Sequence, residues 1–103
     1  KFGDTDLLVR NIDQGRDLAR TMWNSNVVLM RGHGCAVTGR TIKEATLTAV
    51  YLQIAASVQL QSMPLGKIRY LTHGETEKCT EMFYSDLSMD RVWETLAKRA
   101  DNN

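Results

Sequence analysis

Proline, histidine and cysteine are scarce in this chain. One proline, two histidines and two cysteines occur among 103 residues. A single proline and scattered glycines leave no low-complexity linker. Cys35 and Cys79 stand far apart and in no Cys-x-x-Cys spacing. A disulfide is not implied, and two free thiols in a cytoplasmic protein are the expectation. Charge of one sign is missing too. The formal net charge is +1 and no basic stripe stands out, which gives no case for a nucleic-acid partner. Long apolar runs are absent: Ala49 to Val58 is interrupted by Gln53 and is far too short to span a bilayer. The opening Lys1-Phe2-Gly3-Asp4 carries no apolar core of a secretion signal. It also lacks a methionine and soon reaches an apolar run, a start expected of a fragment or a processed chain.

What is present is ordinary for a soluble globular protein: 43% hydrophobic and 24% charged residues. The length suffices for one small core, so residues 1–103 read as a single domain. Asp6 to Arg10 reads as a short strand. Asn11 then caps a helix, with Gln14 at the capping-box position and apolar residues at Ile12, Leu18, Ala19 and Met22. Asn24-Ser25-Asn26 is a turn.

Val27 to Met30 is a continuous apolar run, the pattern of a strand covered on both faces. Gly32-His33-Gly34 breaks it, and Cys35 to Thr38 reads as the return strand. Too few residues join the two for a parallel arrangement, so they form a hairpin with His33 near its turn. Thr41 and Glu44 make the next capping box. The helix after them runs to about Met63 on a stripe of Leu47, Val50, Ile54 and Val58, and Pro64-Leu65-Gly66 stops it. Lys67 to Leu71 is a short strand or an extended connection. Thr72 and Glu75 open another helix, and Ser85 or Ser88 caps a last one carrying Val92, Trp93, Leu96 and Ala97 on one face.

The run Arg31-Gly32-His33-Gly34, its two flanking strands, and Gly39-Arg40-Thr41-Ile42-Lys43-Glu44-Ala45 together resemble the class II aldolase/adducin family. The helix through Tyr51 to Leu60 and the upstream Phe2 to Val9 are similar to family segments as well. The resemblance is to the C-terminal half of a family domain. It implies an α/β fold, part of a three-layer α/β/α arrangement around a mostly antiparallel sheet, with a long central helix and C-terminal helices. It also implies a homo-oligomer and a divalent metal, commonly zinc, which acts as a Lewis acid on a small hydroxy-carbonyl or carboxylate substrate.

By that match His33 is one metal ligand. The His-x-His unit and the catalytic glutamate of the family have no counterpart among these residues. The activity implied is a lyase reaction, C–C cleavage or decarboxylation, incomplete in this chain. The alternative is a non-catalytic adducin-like oligomerisation module. Cys35, two residues from His33, could add a thiolate on an extended strand, though a small buried residue is the simpler reading. His73 matches no family ligand and reads as a helix-start surface residue. Trp93 and Phe83 read as core. Trp23 and Tyr84 could line a subunit interface, and Tyr84 or Arg91 could reach a neighbouring site. Arg91, Lys98 and Arg99 read as a solvated face.

Overall fold

A computed structural model describes residues 3–102. The element order is α1 (Ile12–Met22), β1 (Val27–Met30), β2 (Gly34–Val37), α2 (Ile42–Ser62), α3 (His73–Phe83) and α4 (Asp86–Asp101), with a 3-10 turn at Met63–Leu65 after α2. The architecture is α/β, as the resemblance implies, with one antiparallel sheet. β1 pairs with β2 in the register Val27 with Val37, Val28 with Ala36, Leu29 with Cys35 and Met30 with Gly34.

Helix starts follow local chemistry. Asn11 accepts from the Gln14 backbone N–H while the Gln14 side chain accepts from the Asn11 N–H, so two otherwise orphaned donors are satisfied. Thr72 and Glu75 repeat the arrangement at α3. The third box is altered. The Thr41 hydroxyl accepts from the Glu44 N–H, but the Glu44 carboxylate accepts from the backbone and side chain of Arg40, one residue before the cap. At α4, Ser85 holds the cap position without capping: its hydroxyl donates to the Met82 carbonyl and lies 3.1 Å from the Ser88 hydroxyl.

The strand expected at residues 6–10 is absent among the described residues. At 6–10 the Asp6 carboxylate accepts from the Leu8 N–H and the Thr5 hydroxyl from the Leu7 N–H, and Leu7 takes a left-handed φ of 66°. These local side-chain bonds offer the backbone an alternative to a ladder. Residues 67–71, expected as a short strand or an extended connection, form no strand among the described residues. The hairpin is also covered on one face only. Val28 is buried, whereas its neighbour Leu29 is 74% exposed.

The core is small. Among the described residues the buried apolar side chains are Val28, Leu47 and Met89. Leu47 lies on α2, which packs on β2 and α4, and Lys43 of α2 is ion-paired to Asp90 of α4. Phe83 stacks edge-on against Tyr51 and Tyr84, each at 4.9 Å between ring centroids. Phe83 and Trp93 are half-buried. The Tyr84 hydroxyl accepts from the Asn26 amide at 3.2 Å and lies 3.3 Å from the Thr48 hydroxyl. Tyr84 thus ties the entry of β1 to α2 within the chain. Trp23, by contrast, is exposed and ends α1. Arg91, Lys98 and Arg99 are exposed, as a solvated face requires. No helix among the described residues is long and apolar enough to cross a membrane.

Candidate functional site

The hairpin turn is built by its glycines. The His33 N–H donates to the Met30 carbonyl at 3.2 Å, which closes a tight turn over Arg31 and Gly32. Gly32 takes φ 69° at the third position of that turn and Gly34 takes φ 152°, both in the region that penalises a Cβ. At Gly32 a Cβ would also fall 3.1 Å from Leu7 Cδ1. The sequence Gly-His-Gly therefore holds one imidazole at the tip of two paired strands.

His33 is exposed, and its ring makes no hydrogen bond to another described residue. Cys35 follows on β2 and is exposed too, a correction to the buried reading; its thiol, like that of Cys79, is free. A catalytic zinc site needs about three protein ligands. Among the described residues no group of three or more His, Cys, Asp or Glu could hold a metal ion. His33 belongs to no such group, so the described residues do not by themselves complete a zinc site. His73 lies at the start of α3, exposed, with Nε2 at 3.3 Å from Glu77. It is the helix-start surface residue expected.

A cavity of about 340 Å³ borders the same hairpin, between the N-terminal segment, α1 and β1. Leu7, Leu8, Gln14, Asp17, Met30 and Arg31 contribute to its lining, and His33 stands outside it. Beside it, the Arg10 guanidinium donates to Asp6 at 2.6 Å and, with the Leu8 N–H, holds that carboxyl below its usual range. The sequence offers no signal for this cavity, because Leu7 to Val9 read as strand.

The buried acid of the region is Glu44, only 5% exposed. Its carboxylate accepts from the Arg40 backbone N–H and from Arg40 Nε, each at 3.0 Å. The turn from β2 into α2 is thereby clamped. Gly39 leaves no space there: a Cβ on it would lie 2.6 Å from the Ala45 backbone nitrogen.

Comparison with known proteins places this hairpin in a family. Residues 1–60 match the family described as Class II Aldolase and Adducin N-terminal domain, so α3 and α4 lie beyond the matched residues. The decarboxylase tropJ of Talaromyces stipitatus is 40% identical over 69 residues. That alignment covers 59% of this chain and 26% of the relative, so the chain spans about a quarter of the relative's length. No solved structure gives a significant match. With more than half its length matched, carrying the His33 turn and the clamped helix start that follows it, the chain belongs to the class II aldolase/adducin family.

Proposed function

We propose that this chain contributes the hairpin ligand of a metal-dependent lyase of the class II aldolase type. Its reaction is C–C cleavage or decarboxylation of a small hydroxy-carbonyl or carboxylate compound. The carrying observation is His33, solvent-facing on a glycine-framed turn between two paired strands, within the family-matched residues. A relative that bears the name decarboxylase supports the decarboxylation branch. The metal is a divalent ion, zinc by preference, and its remaining ligands come from outside the described residues. Two free thiols fit a reducing, cytoplasmic setting. The working form is a homo-oligomer, because a two-stranded sheet leaves unpaired edges that another chain can meet.

Zinc titration of the full chain and of His33→Ala tests the ligand. One donor gives weak binding, and the variant loses it. Identical zinc uptake by the two proteins, or none by either, would count against His33.

A second reading is a non-catalytic, adducin-like assembly module. The wide apolar surface left open on α2 favours it. Restoration of lyase activity when a polypeptide bearing a His-x-His unit is added would decide for the enzyme.

A further inference from the structure

We infer that Leu7 is a positioning residue for the turn that carries His33. Its purpose rests on the reading of His33 as a hairpin ligand, while its geometry stands on the chain itself. Leu7 and Trp23 are the non-glycine residues of positive φ among the described residues. Trp23 ends α1, where a left-handed residue is common. Leu7, at φ 66°, ends no helix. A bulky side chain keeps that backbone only where its surroundings hold it there.

The hold comes from both sides of residue 7. The Leu7 N–H donates to the Thr5 hydroxyl and the Leu8 N–H to Asp6 Oδ1, each at 3.2 Å. The other Asp6 oxygen accepts from the Arg10 guanidinium at 2.6 Å. The Arg10 N–H donates to Gln14 Oε1 at 2.7 Å, which fastens the segment to the first turn of α1. Val9 comes against α1 as well, its Cγ1 at 4.0 Å from where a Cβ on Gly15 would stand. Residues 5–10 therefore form a strap, latched on itself by Asp6 and Arg10 and anchored to α1 at its end.

The strap delivers Leu7 to the hairpin. Leu7 Cδ1 lies so near Gly32 that a Cβ there would be 3.1 Å away, closer than ordinary contact. Leu7 also lines one cavity with Met30 and Arg31, the residues that lead into the turn. Gly34, on the other side of His33, would meet nothing within 4 Å of a Cβ. The contact is thus confined to the entry side of the turn. Across the turn itself, the bond from the His33 N–H to the Met30 carbonyl is 3.2 Å, at the long end of the ordinary range. An exposed tip closed in this way moves with its backbone. A useful ligand must be held to within about 0.5 Å, and Leu7 against Gly32 supplies a second restraint from outside the hairpin.

Backbone 15N relaxation of the full chain reads this restraint residue by residue. In Leu7→Ala the order parameters of Gly32 and His33 are expected to fall from about 0.85 to about 0.6. Thr38, whose N–H donates to the Asn26 carbonyl at the far end of the hairpin, is expected to stay near its original value. Leu7 is 42% exposed, so its truncation leaves the buried core in place. Leu7→Met, of similar volume, is expected to keep the turn ordered. Arg10→Gln, which opens the latch, is expected to loosen the turn as Leu7→Ala does. Unchanged order at Gly32 and His33 in Leu7→Ala, or an equal fall at Thr38, overturns the inference. A Leu7→Met protein as loose as Leu7→Ala overturns the side-chain contact. Zinc uptake unaltered by His33→Ala removes the ligand reading alone and leaves these order parameters where they are.

Discussion

Glu75 shows how far a single side chain governs a local structure. Its carboxylate accepts from the Thr72 backbone N–H at 2.8 Å, and that bond, followed by the Thr72 side chain, lowers its pKa from the ordinary value of 4.5. A depressed carboxyl pKa contributes stability that is full above the unfolded value and is lost as pH falls through the folded one. The start of α3 is therefore expected to fray only below about pH 4.5, with the loss continuing down to the folded pKa. Amide hydrogen exchange at Thr72 against pH measures this, and Glu75→Gln should flatten the profile. The residue was legible because a capping box is a contact across three residues. Glu44 was legible only by half. Its spacing from Thr41 marks a cap, but the redirected carboxylate depends on the sharp turn at Gly39-Arg40, which only the packed strand and helix define.

At the scale of elements, the junction from β2 to α2 carries the mechanical link between the His33 turn and the rest of the chain. Gly39 sits against the Ala45 backbone, with Glu44 Cβ 3.0 Å from where a Cβ would stand. Gly39→Ala must displace backbone and not a flexible side chain. It is expected to cost about 1–3 kcal/mol, the usual range for overpacking, measured by urea unfolding. The hairpin and α2 were readable in outline, since an apolar run, a glycine pair and a capped 3.6-residue stripe are local signals. The expected strand at 6–10 was not, because Thr5 and Asp6 fold back on their own backbone in a competition that alternating hydrophobicity does not reveal.

For the whole molecule, the balance is narrow. Three buried apolar side chains make a small core for the described residues, and Leu47 is the most enclosed. Leu47→Ala is expected to cost about 2–5 kcal/mol. That is a large share of a domain stability of about 5–15 kcal/mol, so the thermal midpoint of the variant should fall by roughly 10 °C or more. Circular dichroism melts of the two proteins at equal concentration check this. A fully retained transition would mean that the core is better supported than three residues imply.

By itself the sequence determined the family, the helix starts and the position of the His33 turn, because each rests on residues a few places apart whose hydrogen bonds and backbone limits are local. Tertiary structure decided what those pieces meet. It left β1 open on one face where a continuous apolar run suggested cover on both, and it engaged Tyr84 with Asn26 and Thr48 across the chain. It also ended the cover on α2 soon after Leu47. Burial depends on which distant surface arrives at a face, and an apolar stripe reads the same whether or not that surface is there.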